Sequence, residues 1–413
     1  MNRRVVITGM GAVTPVGNDV KSFWKNVQAG VCGIAPITLY DTSGQKVKLA
    51  GEVKGDIGDD ISPAEKRKMD RFTLLACAAA NEALRDSGIT PDNADMTRCG
   101  VMVSSGIGGL GTIEREQVKG VEKGFDRVSP FFIPMTIVNM AAGRIAIQSG
   151  FQGYSASVVT ACAGGSNAIG DTFRMIRHGY LDAVLCGGAE GCVTPLAIGG
   201  FTSMKALSNA EDIDRASIPF DKERSGFVLG EGAGILMLEE LTHAQKRGAK
   251  IYAEVTGYGA TCDAYHITAP KPNGEGGAEA MRMAIQDAGL MPADIDYINA
   301  HGTSTNLNDK GEAAAIHEVF GERAGCIPVS STKSMTGHLL GAAGAAEAIV
   351  CALSVQNDYV HENINYKEPD PECELDIVTG GGRKTTLCHA LSNSLGFGGH
   401  NAALVISKFE GDK

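Results

Sequence analysis

Cys162 stands in the run Val158-Val-Thr-Ala-Cys-Ala-Gly-Gly-Ser-Asn-Ala-Ile-Gly170. A β-branched stretch, read as a strand over 157–160, leads into a turn of small residues and then a helix. That arrangement lifts a reactive side chain out of a sheet. Amides at a helix N-terminus stabilise a thiolate and can donate to an oxyanion, and from a reference near ~8.5 such a site lowers the thiol pKa. A lone cysteine is more often a buried structural thiol. Here Ala161, Ala163, Gly164 and Gly165 clear space around the sulfur and favour a nucleophile.

Nine histidines offer partners for it. His178, His243, His317 and His361 sit among charged residues and read as exposed. His301 ends an apolar run, Tyr297–Ala300, and opens Gly-Thr-Ser-Thr-Asn-Leu-Asn-Asp309, a turn rich in hydrogen-bonding groups. His338 lies in Lys333-Ser-Met-Thr-Gly-His-Leu-Leu-Gly-Ala-Ala-Gly344, between a strand and an Ala-rich helix. Near the C-terminus, Ser392-Asn-Ser-Leu-Gly-Phe-Gly-Gly-His-Asn401 sets Phe397 in a glycine turn that permits close backbone approach and movement. A hairpin turn with an exposed ring is the plainer reading.

A competing site is Gly106-Ile-Gly-Gly-Leu-Gly111, which fits G-x-G-x-x-G and would make the chain a dinucleotide-binding oxidoreductase. The strand before it is not the first of the chain. The region some ~20 residues on, where that fingerprint needs an acidic residue, offers only Asp126. With 54 glycines, nearly twice an ordinary share of about 7%, chance matches are expected.

These segments are positioned by short β-rich runs alternating with helical patterns, which implies covered, partly parallel sheets. Strands are expected at 5–9, 100–104, 183–186, 252–255, 297–299, 327–330, 390–392 and 402–406. Helices are expected at 72–86, 166–177, 278–287, 310–320 and 342–354. The chain also resembles itself. Ala83-Leu-Arg-Asp-Ser-Gly-Ile-Thr-Pro91 is matched by Ala284-Ile-Gln-Asp-Ala-Gly-Leu-Met-Pro292, and Ile7-Thr-Gly-Met-Gly-Ala-Val13 by Val255-Thr-Gly-Tyr-Gly-Ala-Thr261. A period of about 200 residues is too long for a solenoid. It indicates a duplicated α/β half: residues 1–250 carry the nucleophile and 251–413 the two histidines. The turns of Cys162 and His338 would then be related by a pseudo-twofold axis.

Composition bounds the function. The 413 residues carry 37 basic and 48 acidic side chains, a net charge of −11, so nucleic acid and anionic membranes are poor partners. No apolar run approaches the ~20 residues of a membrane span, which argues against insertion. The opening Met1-Asn-Arg-Arg-Val-Val-Ile7 reads as a first strand and not a signal peptide. The eleven cysteines show no C-x-x-C pair and no zinc spacing, so no metal is expected. Cys77, Cys186 and Cys351 read as buried hydrophobes, and an odd count points to a reducing, cytoplasmic setting.

Taken together, Thr160-Ala-Cys162, Ala300-His301-Gly-Thr-Ser-Thr, Lys333…Gly337-His338 and Asn393…Gly396-Phe397-Gly-Gly resemble the β-ketoacyl-[acyl carrier protein] synthases. The elongating type II branch is the nearest match. The resemblance spans essentially the whole chain, including Ser129–Met140 and Phe220–Gly232. A Cys–His–His set is unlike thiolases, which use a second Cys, and unlike initiating synthases, whose triad is Cys–His–Asn. It implies a thiolase-like αβαβα sandwich of two duplicated halves, usually a homodimer, with no cofactor. Cys162 would carry the acyl group, and His301 and His338 would serve malonyl decarboxylation and enolate stabilisation. Lys333 belongs to the same catalytic set, and Asp309 and Glu312 support it. The amides of Cys162 and Phe397 would form the oxyanion hole, with Phe397 as gate. Ile107, Phe201, Thr303 and Thr305 match substrate-contacting positions.

Two positions depart from the pattern: Asn306 stands where Pro often follows Thr-Ser-Thr, and His400 where Thr often follows Phe-Gly-Gly. Some relatives hold a monovalent cation near positions like Asn299, Glu347, Ser392 and Asn393. The implied partner is acyl carrier protein, small and acidic, which a basic patch would steer. Lys66-Arg67-Lys68, Arg127 and Lys205 are the candidate contacts. A polyketide-type ketosynthase would use the same three catalytic residues.

Overall fold

The computed structural model describes residues 3–411. Its strands run in the order Asp376–Ile377, Pro328–Ser330, Tyr297–Asn299, His389–Gly396, His400–Ser407, Ala253–Cys262, Val5–Val13, Gly232–Glu240, Ala183–Glu190, Cys99–Ser104 and Ser155–Ala156. The order reads outward from the centre alike on both sides. Each half has a long inner strand, then an antiparallel neighbour, then a run of mutually parallel strands, three in the first half and four in the second. Within the sheet the halves join where Val5, Val6 and Ile7 pair with Val255, Glu254 and Ala253.

Helices complete the layers. Arg71–Ser87 packs on the outer face of the first half and Glu275–Asp287 on that of the second. Between them lie Gly164–Arg177 and Ala343–Asn357, which touch each other and strands of both halves. This is the expected αβαβα sandwich. The helix Ala343–Asn357 is buried from Ala343 through Val355, and a helix apolar all round belongs in such a place. One expectation needs correction here. Leu340–Asn357 is 18 residues long with mean hydropathy 1.2, enough by length and composition for a membrane span, yet 89% of it is buried in this central layer.

The first strand runs Val5–Val13, four residues past the expected end, because pairing continues through Gly9 and Gly11; the last, His400–Ser407, gains two residues before and one after the expected run. The strand Gly232–Glu240, central to the first half, was not among those expected. The strand expected at 157–160 does not form. Pairing with Val101 and Met102 stops at Ser155–Ala156, and the β-branched Val158-Val159-Thr160 run leaves the sheet edge. Ladder partners, not propensity, make a strand. Met1 and Asn2 of the basic opening lie outside the described residues.

The repeat is closest at two turns. Ala161 (φ 49°) opens the single turn Ala161–Ala163 that enters Gly164–Arg177. Leu340 (φ 46°) opens Leu340–Ala342, which enters Ala343–Asn357 in the same way. The positional counterpart of Cys162 is therefore Gly341, and His338 precedes the second turn.

Candidate active site

Cys162 lies at the head of the central helix, only 8% exposed. Its own backbone N–H and that of Phe397 reach the sulfur. Their approach needs Gly396: a Cβ there would stand 2.8 Å from the Thr160 carbonyl oxygen and 3.2 Å from Cys162 N. The expected depressed thiol is not what burial yields. Desolvation pushes the thiol up to about 12, and the Lys333 charge and these two amides only partly oppose it.

The two histidines come from different elements of the second half. His301 follows the strand Tyr297–Asn299. Its backbone N–H and that of Gly302 both donate to Glu312, at 2.8 Å each. Asp309 accepts from Thr303 N at 3.0 Å, Ser304 N at 3.1 Å and Phe220 N at 2.8 Å. The two carboxylates thus build the turn and do not touch the ring. His301 Nδ1 is buried without a hydrogen-bond partner.

His338 is held by backbone bonds on both sides, its N–H to Val228 O at 2.7 Å and its carbonyl from Gly230 N at 2.9 Å. Its Nδ1 accepts from Leu340 N at 3.3 Å, so the neutral ring carries its proton on Nε2. The two imidazoles meet edge to face at 5.2 Å, and Phe227 flanks His338 at 5.3 Å. Burial first, then the Lys333 charge, holds both rings well below the ordinary histidine value, with His338 lowering His301 further. Both are neutral donors or acceptors at neutral pH.

Lys333, expected with the catalytic set, does not line the cavity. It is 1% exposed and ion-paired with Glu347, which is 2% exposed, behind the histidines. Beside this pair, Glu347 Oε2, Asn299 Oδ1, Ser392 Oγ and Asn393 Oδ1 are buried without hydrogen-bond partners. Asn299 and Ser392 are register partners on adjacent strands. Four oxygens in search of a positive partner fit a monovalent cation by their chemistry.

One cavity of about 470 Å³ gathers the predicted residues: Cys162, His301, His338, Phe397, Ile107, Phe201, Thr303, Thr305 and, at its mouth, Lys205. Phe397 sits in the hairpin between His389–Gly396 and His400–Ser407, as the plainer reading of that turn expects, but its ring is half-buried and not exposed. Its loop is tied to a second, unanticipated one. Gly398 N donates to Ile267 O and Asp263 N to Gly399 O, at 2.8 Å each, while Asn401 Nδ2 donates to Asp263 at 2.7 Å.

The remaining expectations separate. Arg67, Arg127 and Lys205 are exposed and make no ion pair among the described residues. Lys68 is engaged with Glu65 at 2.7 Å and lies over the Phe131 ring. His361, expected on an exposed surface, is wholly buried between Ser330 and Thr332, and its pKa falls to about 4 through burial. His243 is half-buried against Glu239. The run Gly106–Gly111 does lie between a strand and a helix. However, Gly106 N and Ile107 N donate to the buried Glu190 at 2.7 and 3.2 Å, so those amides are spoken for and not offered to a pyrophosphate. Sequence reading missed Glu190 altogether, because one acidic residue closing an apolar strand carries no motif.

A thiol served by backbone donors and faced by two neutral imidazoles, on a sandwich of two α/β halves, defines an acyl-transferring enzyme of the thiolase-like fold. Residues 2–244 match the model of the beta-ketoacyl synthase N-terminal domain and residues 252–367 that of the C-terminal domain, and the chain belongs to the beta-ketoacyl synthase family. It is 53% identical over 410 residues to 3-oxoacyl-[acyl-carrier-protein] synthase 2 of Staphylococcus aureus strain N315, covering 99% of both chains. The protein of the same description from Synechocystis is 49% identical, again over 99% of both. Among solved structures, a beta-ketoacyl synthase from Burkholderia phymatum superposes with a TM-score of 0.90 at 34% identity, over 99% of this chain and 100% of that one. A type II polyketide ketosynthase bound to a hexaketide, in complex with its acyl carrier protein, gives 0.92 at 36%, with the same coverage.

Proposed function

We propose that this chain is a 3-oxoacyl-[acyl carrier protein] synthase that elongates fatty acids by decarboxylative condensation. The observation that carries the reading is the meeting of Cys162, two backbone N–H donors and two neutral histidines in one cavity. Cys162 sulfur attacks an acyl-carrier thioester; the new C–S bond leaves an acyl-enzyme, and the carrier departs as its thiol. Malonyl carrier then enters and its carboxylate leaves as carbon dioxide. His301 and His338 donate to the thioester oxygen on which enolate charge develops, His338 through Nε2. The enolate carbon bonds to the acyl carbon, the Cys162 C–S bond breaks, and the departing thiolate takes a proton from solvent, which balances the negative charge the malonyl carboxylate brought in. The Cys162 and Phe397 amides hold the oxyanion in both acyl transfers.

Lys333 and Glu347 are positioning residues in this scheme, with Lys333 keeping the rings unprotonated. Asn299, Glu347, Ser392 and Asn393 would hold a monovalent cation, which would occupy oxygen lone pairs that no protein donor reaches, beside the Lys333–Glu347 pair. Ile107 and Phe201 would contact the acyl chain, and Thr303 and Thr305 the arm that delivers it. Residues 1–250 and 251–413 form the two duplicated halves.

The acidic carrier docks on Arg67, Lys68, Arg127 and Lys205. The chain works as a homodimer in the cytoplasm. The exposed apolar side chains Val121, Phe125, Ile133, Ile147 and Val159, and the open edge strand Ser155–Ala156 against which the helix of Ile147 packs, support that assembly. A polyketide-type ketosynthase would show the same site. The 53% identity to 3-oxoacyl-[acyl-carrier-protein] synthase 2 of Staphylococcus aureus, against 36% to the polyketide ketosynthase, favours elongation.

Intact mass spectrometry tests the reading. Mixed with a medium-chain acyl carrier thioester, the wild type should gain one acyl group and Cys162→Ala none. Malonyl carrier should discharge the adduct as a β-ketoacyl product. A wild type that never acylates would overturn it.

A further inference from the structure

The duplication places something opposite the oxyanion hole. Glu190 closes its strand opposite Gly232, as Gly396 closes its strand opposite His400, so the two are counterparts just as Gly341 and Cys162 are. At the first turn the glycine leaves room beside Cys162 N. At the second turn Glu190 fills that room, and its Oε2 accepts from Gly341 N at 3.1 Å.

We propose that Glu190 is a positioning residue for the condensation: its carboxylate plugs a second, degenerate oxyanion hole and thereby ties the acyl-pocket loop at Ile107 to the turn that orients His338. Glu190 is fully buried. Oε2 takes Gly106 N at 2.7 Å as well as Gly341 N, and Oε1 takes Ser105 Oγ at 2.8 Å and Ile107 N at 3.2 Å. Such a carboxylate, met by four donors from two loops, fixes both loops at once. Ile107 lines the cavity. On the other side, Gly341 follows Leu340, whose N–H sets the His338 ring. No side chain could replace the glycine there, since a Cβ on Gly341 would stand 2.5 Å from Gly106 N and 3.0 Å from Glu190 Oε2.

The inference rests on the condensation reading, and its test separates the two half-reactions. Glu190→Gly removes the plug. Decarboxylation and condensation should fall about 100-fold, the scale of a misplaced catalytic group, while acylation of Cys162 by a short acyl carrier thioester stays within about threefold. Formate, a carboxylate small enough to refill the hole, should restore at least about tenfold, and neutral formamide should not.

Glu190→Gln is the second variant, for the case that the first does not fold. Its NH₂ is best tolerated at Oε1, where the Ser105 hydroxyl can turn to accept, so it keeps Gly106 and Gly341 and loses Ile107. The expected fall is intermediate, about tenfold. A folded Glu190→Gly that loses both half-reactions equally and ignores formate, or a Glu190→Gln equal to wild type, overturns the proposal. A wild type that fails to acylate overturns the condensation reading instead.

Discussion

In each half a turn opened by a residue at positive φ, Ala161 in the first and Leu340 in the second, leads into a central helix, and the two turns then diverge in what stands beside their amides. The first presents Cys162 to a cavity, with Gly396 absent of side chain beside it. The second buries Gly341 against the Glu190 carboxylate and moves its chemistry three residues upstream, to His338. One backbone thus served two purposes. The occupant of the space beside the amide, an open gap or an internal carboxylate, decided whether the turn could accept a substrate oxygen. Duplicated folds divide labour in this way without changing the architecture.

The largest effect expected is at the open turn. Cys162→Ala should reduce condensation by more than about 10⁴-fold, since no other described thiol lines the cavity. Transfer of labelled acyl groups measures it, and residual turnover above that level would break the contrast between the turns. Next come the histidines. His338→Ala and His301→Ala should each lose about 10²–10³-fold in malonyl decarboxylation, as for removal of an oxyanion donor, with Cys162 acylation much less affected. Equal losses in both half-reactions would contradict the division.

Behind them, Lys333→Met leaves Glu347 as an uncompensated buried charge and should destabilise the protein by about 3–5 kcal/mol, read in a denaturant titration. The double variant with Glu347→Met should recover much of that loss. On the surface, Arg67→Glu with Lys205→Glu should raise KM for carrier-bound substrates about tenfold, more at low salt, and spare small thioesters. An unchanged KM removes the docking assignment.

The smallest effect is a flat line. Both catalytic rings are held well below the ordinary value of 6.5, so the neutral forms persist as pH falls through it. Decarboxylation should therefore change by less than about twofold between pH 8 and 6. A break at 6.5 would show that burial does not keep them neutral.

The site was more legible than the fold that holds it. Cys162, His301, His338 and Phe397 stand in unusual local settings: small residues around a thiol, a polar turn after a strand, a ring among glycines. Such settings survive in one dimension. The strand expected at 157–160 failed because an edge supplies no partner beyond Ala156. His361 was misread because charged neighbours along the chain say little about which face a loop presents.

Sequence by itself determined the internal repeat, the α/β class with partly parallel sheets and the residues able to do chemistry, because periodicity, turn residues and reactive side chains are local properties; the sandwich class came from the family resemblance. Tertiary structure alone decided three things: the burial that raises the Cys162 thiol, the pairing of Lys333 with Glu347, and the seating of Glu190 under Gly106 and Gly341. Each depends on residues 14 to more than 150 positions apart meeting in a medium of low polarity, where desolvation and charge act over distances that no short stretch of chain encodes.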